Sequence, residues 1–229
     1  MSQEYTSDVK ARLEAAEQRA LQLFTAIEEQ QIIAPGKTES TINTEIYNLA
    51  KELFGIDKYW HKRIVRAGEN TLLPYAENPP NLTVKDDDIL FLDFGPIFDD
   101  YEADFGRTYV LGDDPSKLSL QQDIEDAWYE AQEWYLQHTY ITGAEFYKYL
   151  KILAERLGWE FGGEIGGHLI GKFPHERIEA ANFPLYVHPE NHNDMMAKDA
   201  AGNKRHWILE IHFVDREKNI GGFFEQLMV

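Results

Sequence analysis

Cysteine is absent from all 229 residues, which excludes disulfide bonds and favours a reducing compartment. Basic residues are scarce. Twenty-two lysines and arginines face 40 acids, leaving a formal net charge of −18. A chain so acidic repels phosphate backbones, so nucleic acid is excluded as a partner. No apolar run approaches the roughly 20 residues of a membrane helix, which excludes a membrane partner of that kind. The opening MSQEYTSDVKARLEAAEQ lacks the basic start and apolar core of a signal peptide, and a cytoplasmic location is expected. What is present is material for a core, with 43% hydrophobic and 13% aromatic residues. The length fits one domain, expected to span 1–229 with residues 1–34 as an N-terminal helix.

Residues 8–33 carry Val9, Leu13, Ala16, Ala20, Leu23 and Ile27 at helical spacing, ended by Pro35-Gly36. Ile42, Ile46, Leu49 and Leu53 make a second stripe, with Gly55 placed to cap it. YWHKRIVRAG, DILFLDFGPIF and EADFGRTYVLG are aromatic and β-branched, and read as strands. Helices return near 119–138 and 143–157; Thr142 and Glu145 have capping-box spacing and Gly158 follows the end. GGEIGGHLIG, HWILEIHFV and GGFFEQLMV read as strands again, and polar 188–206 reads as a surface loop. Helices, sheet, helices, sheet is the order of an α+β fold with two similar halves.

Four acids sit inside apolar strands: Asp93, Asp104, Glu210 and Glu225. A buried carboxylate is costly without a cation, a set of donors or a raised pKa. A hairpin over 89–110 turning at Phe98-Asp99 would place Asp93 opposite Asp104. A hairpin over 207–229 turning at Glu217-Lys218 would place Glu210 opposite Glu225. Like charges about 5 Å apart across a ladder repel, so two such pairs make sense with cations between them. Oxygen ligands favour Mg²⁺ or Mn²⁺, and an imidazole shifts the preference toward transition metals. His168, among the glycines of GGEIGGHLIG, is placed to supply one. His61 lies in the most basic short stretch, with Lys62, Arg63 and Arg66. His61 and Arg66 are candidate substrate-binding residues, the basic side chains of the stretch suiting a substrate carboxylate; charges on a sheet edge or at a subunit contact are the alternative. His212 shares a strand face with Glu210 and is a candidate support for it.

The series Asp93, Asp104, His168, Glu210, Glu225 resembles the ligand set of the pita-bread metallopeptidases: methionine and Xaa-Pro aminopeptidases, prolidases and creatinase. LDFGPIFDDYEADFGRTYVLG looks like their paired-aspartate segment and GGHLIGKFPHE like their metal-histidine segment. The resemblance covers roughly 35–229. It implies a pita-bread fold of two pseudo-symmetric halves with a curved antiparallel sheet, holding two divalent ions, Mn²⁺ foremost, Co²⁺ or Zn²⁺ next. It further implies that Asp104 and Glu225 bridge the ions, Asp93 completes one shell, and His168 with Glu210 the other. A metal-bridging hydroxide would attack the substrate, Glu210 would help move its proton, and His175 would contact substrate or the tetrahedral intermediate. A homodimer is common among such proteins.

Three positions depart from that pattern. Pro74 stands where a substrate-facing histidine is expected, Glu164 where Xaa-Pro enzymes often carry a histidine, and Phe223-Phe224 where a basic residue often precedes the last glutamate. The expected activity is an aminopeptidase or dipeptidase on a small peptide. A creatinase-like C–N hydrolase or a lyase on the same site is the alternative, and a non-catalytic binding module ranks last.

Overall fold

The computed structural model describes residues 2–174 and 183–228, with side chains from residue 8 onward. Among the described residues, four α-helices form where the apolar stripes lie: α1 (Ser2–Glu29), α2 (Glu39–Phe54), α3 (Pro115–Leu136) and α4 (Gly143–Leu157). Their ends are set by local chemistry. The Thr38 hydroxyl accepts from the Thr41 amide at the start of α2, and Gly55, at φ 68°, closes it. Thr142 and Glu145 form the reciprocal capping box of α4, and Gly158, at φ 85°, ends it. α1 stops at Glu29, short of Pro35, because Gln31 turns the chain at φ 52°.

The described residues form nine strands, in chain order β1 (Ile64–Ala67), β2 (Ile89–Phe94), β3 (Ile97–Phe98), β4 (Tyr101–Glu102), β5 (Phe105–Val110), β6 (Glu160–Phe161), β7 (Gly167–Ile170), β8 (His206–Asp215) and β9 (Ile220–Met228). The main sheet runs β1-β2-β5-β9-β8-β6, with β7 also on β8, and every described pairing is antiparallel. Two long pairings, β2–β5 and β8–β9, abut through the single partnership Gly106↔Glu225. Each half has its own core. α1 and α2 bury Leu23, Phe24, Ile27, Ile42 and Ile46 against Leu90, Leu92 and Phe94. α3 and α4 bury Trp128, Ala131, Phe146 and Leu150 against Leu209, Ile211 and Phe224. Each large side chain so buried contributes about 2 kcal/mol by removing apolar area from water. The Trp128 indole N–H finds the Leu209 carbonyl at 2.8 Å, so its burial leaves no orphan donor.

One register differs from expectation. Glu210 does face Glu225. Asp93, however, pairs with Gly106, not Asp104. The turn lies at Asp99-Asp100, one residue later than Phe98-Asp99, because both adopt positive φ (49° and 69°) and make a tight two-residue turn of the β3–β4 hairpin. Moving a turn centre by one residue moves the pairing by two. Asp104 consequently lies just before β5, outside the ladder.

Candidate metal centre

Where the two halves meet, the acids converge on one buried floor. Asp93 is the penultimate residue of β2, a strand buried along its length, and Glu225 lies on β9 across β5, both partnered by Gly106. Asp104 is released from ladder geometry by its position before β5, and both its oxygens face histidines. Oδ1 lies 3.0 Å from His61 Nε2 and Oδ2 lies 3.0 Å from His168 Nε2. His61 Nε2 is also 3.5 Å from Asp93 Oδ1, and His168 Nε2 is 3.9 Å from Glu225 Oε1. Glu210, half-buried on β8, shares a side-chain hydrogen bond with Glu225. Two groups of potential ligand atoms result, His61–Asp93–Asp104 and Asp104–His168–Glu225, with Asp104 common to both.

Electrostatics follow from crowding acids away from water. Burial, then the neighbouring carboxylate charges, push Asp93, Glu210 and Glu225 above the usual carboxylate range. Asp104 goes the other way: burial would raise it, but the two imidazoles outweigh burial and hold it low. For His61, burial opposes protonation, and the charges of Asp104 and Asp93 override it to lift the ring to about 9. Asp93 Oδ1 and Glu225 Oε2 are buried with no hydrogen-bond partner. Two orphaned carboxylate oxygens, one in each ligand group, and a donor set of oxygens with imidazole nitrogens fit divalent cations.

The floor opens into a cavity of about 870 Å³ lined by Trp60, Tyr75, Phe91, Tyr186, Phe223 and Glu164. Phe223 faces this space, while Phe224 points into the opposite core and lies under the Arg107 guanidinium at 3.7 Å. Pro74 and Tyr75 also line the cavity. Arg66 is buried and donates to the carbonyls of Leu73, Pro74 and Glu77, so its guanidinium holds the 73–77 loop. His212 is anchored by Nε2 to the Thr71 carbonyl at 2.7 Å and lines the cavity beside Phe91 and Phe223. His175 lies outside the described residues. Segment 188–206 is not wholly superficial, since Asn191 and Met195 are buried.

Trp60 and Gly95 escaped sequence reasoning. Trp60 packs between the imidazoles of His61 and His168, with ring centres 4.5 and 5.2 Å away, and its indole donates to the Ala103 carbonyl next to Asp104. A Cβ at residue 95 would fall 2.2 Å from the His61 ring, so only glycine leaves room for it. The available signal was adjacency: Trp60 beside His61, Gly95 two residues after Asp93.

The model of metallopeptidase family M24 matches residues 11–200. The chain belongs to that family. Two proteins provisionally named Xaa-Pro aminopeptidases are similar to it. That of Mycoplasma genitalium is 33% identical over 106 residues, covering 44% of this chain and 29% of that protein. That of Mycoplasma pneumoniae is 28% identical over 155 residues, covering 66% and 43%. The chain thus spans less than half the length of these relatives. Among solved structures, the X-Pro aminopeptidase of Thermotoga maritima superposes with TM-score 0.73 at 20% identity, covering 96% of this chain and 57% of that one. The prolidase of Pyrococcus furiosus gives 0.72 at 18%, with 97% and 60% covered. The methionine aminopeptidase of Rickettsia prowazekii gives 0.69 at 16%, with 97% and 93% covered. The fold is the pita-bread fold of that family.

Proposed function

We propose that this chain is a dinuclear metal-dependent hydrolase acting on a small peptide, most like an Xaa-Pro aminopeptidase or dipeptidase. Two buried oxygens without hydrogen-bond partners, Asp93 Oδ1 and Glu225 Oε2, flanking Asp104 at the floor of a half-open cavity, carry the proposal. Asp93, Asp104, His168, Glu210 and Glu225 would hold two divalent ions, Mn²⁺ foremost and Co²⁺ or Zn²⁺ next. When bound, such ions acidify a water to a nucleophile at neutral pH and polarise the scissile carbonyl.

The protein's own groups do the rest. Glu210 is half-buried, hydrogen-bonded to Glu225, and raised above the usual carboxylate range by burial, so it can take a proton from water and return it to the leaving amine. In the same reading His175 would contact the substrate or stabilise the tetrahedral intermediate. The aromatic walls from Tyr75, Phe91 and Phe223 take an apolar substrate side chain and exclude water. Arg66 reaches substrate only through the loop it holds, by fixing Pro74 and Tyr75 at the cavity wall. Residues 1–229 are read as one catalytic domain acting in the cytoplasm.

Hydrolysis of a panel of dipeptides, Xaa-Pro sequences included, by Mn²⁺-loaded protein tests the proposal; release of free amino acids is expected. Silence across the panel from protein that holds metal would favour the second reading, a creatinase-like C–N hydrolase or a lyase of a small metabolite. Pro74 and Tyr75 on the wall where a substrate-facing histidine is expected are the observation behind that second reading.

A further inference from the structure

We propose that His61 is a sixth protein ligand of the metal centre, completing the shell of the ion held by Asp93 and Asp104 with an imidazole nitrogen. The inference rests on the dinuclear reading above, and replaces the substrate contact expected of this residue.

Geometry carries it. Two ligands about 2.1 Å from one ion and at right angles to each other lie about 3 Å apart. His61 Nε2 lies 3.0 Å from Asp104 Oδ1 and 3.5 Å from Asp93 Oδ1, and the three atoms form one compact group. His168 Nε2 stands 3.0 Å from the other oxygen of Asp104, so each oxygen of the shared carboxylate faces one imidazole. The two rings are also oriented alike. His61 Nδ1 sits 2.7 Å from the carbonyl of the next residue, Lys62, and His168 Nδ1 sits 2.9 Å from the carbonyl of Leu169. A ring whose Nδ1–H donates to a carbonyl presents the Nε2 lone pair to a metal, the usual support for a histidine ligand.

The seat is built into the fold. The Trp60 amide bonds to the Gly95 carbonyl at 2.9 Å, tying the segment to the strand end that carries Asp93. Gly95 removes the Cβ that would strike the ring, and Trp60 packs against both imidazoles. His61 is half-buried, and Asp93 Oδ1, 3.5 Å from its Nε2, is buried with no hydrogen bond. An imidazole on each side would move the metal preference of the first position from hard cations toward Co²⁺ and Zn²⁺.

Proton NMR of the Co²⁺-loaded protein tests this without requiring turnover. A cobalt-bound histidine whose Nδ1–H is held by a carbonyl gives one strongly shifted exchangeable signal. Two such signals are expected in the wild type, and His61→Gln should remove one, while titration calorimetry shows one ion bound at least about ten-fold more weakly. Two bound ions with a single shifted signal in the wild type would overturn the assignment of His61 and leave the dinuclear reading intact. Two signals that both survive His61→Gln in folded protein would overturn it equally. Protein that takes up no ion would overturn both.

Discussion

Asp104 is the residue on which the centre turns, since it belongs to both groups of candidate ligands and touches both imidazoles. Asp104→Asn keeps the shape, removes the charge and replaces one oxygen by a nitrogen that cannot ligate; loss of at least one ion per chain is expected in titration calorimetry. A different acid illustrates what burial does without a metal. Glu17 on α1 is half-buried with Oε2 unpartnered, and desolvation, opposed by the charge of Arg107, raises it to about 7. An acid raised in the folded state binds more protons there than in the unfolded chain between about 4.5 and 7. Stability therefore falls as pH rises through that window. Glu17→Gln should raise unfolding free energy by on the order of 2 kcal/mol at pH 8, the gain vanishing below pH 4.5; denaturant melts at the two pH values measure it.

At the scale of elements, the strands deliver ligands only if their neighbours come close. Gly167 has φ 142°, and a Cβ there would lie 2.1 Å from the Ile208 carbonyl oxygen on β8. Gly167→Ala should cost about 3 kcal/mol and shift the adjacent His168, so both the thermal midpoint and metal affinity should drop together. Thr142→Ala removes the α4 cap and should cost about 1 kcal/mol with metal content unchanged, because α4 contributes no candidate ligand. These two variants separate elements that place the site from elements that only stabilise the half around it.

Legibility in the sequence follows the same division. Periodic stripes such as Ile42, Ile46 and Leu49 and caps such as Thr142 with Glu145 are local features, and the structure has them where the spacing put them. The Glu210↔Glu225 pairing was readable because a long hairpin with one turn leaves little freedom. Asp93 and Asp104 were misregistered because nothing local separates a turn at Phe98-Asp99 from one at Asp99-Asp100, yet the difference moves Asp104 out of the ladder. Trp60, His61 and Gly95 meet through contacts between segments some 35 residues apart, which periodicity does not encode.

Over the whole molecule, the halves meet at one sheet partnership, Gly106↔Glu225, and both supply ligands to the shared floor. Bound cations would neutralise acids that otherwise repel across that junction, so the centre should also act as a clasp. Chelation of metal-loaded protein is expected to lower the thermal midpoint, corresponding to about 3 kcal/mol at an ion concentration a hundred-fold above Kd. A chelator without effect on the melt would detach the centre from folding stability. Whether the converging carboxylates and imidazole hold two divalent ions is decided by elemental analysis of chelator-stripped protein after Mn²⁺ is restored. Two ions per chain in the wild type, and one or none in Asp104→Asn, is the predicted result. No bound ion in the wild type, or the same stoichiometry in both proteins, would contradict it.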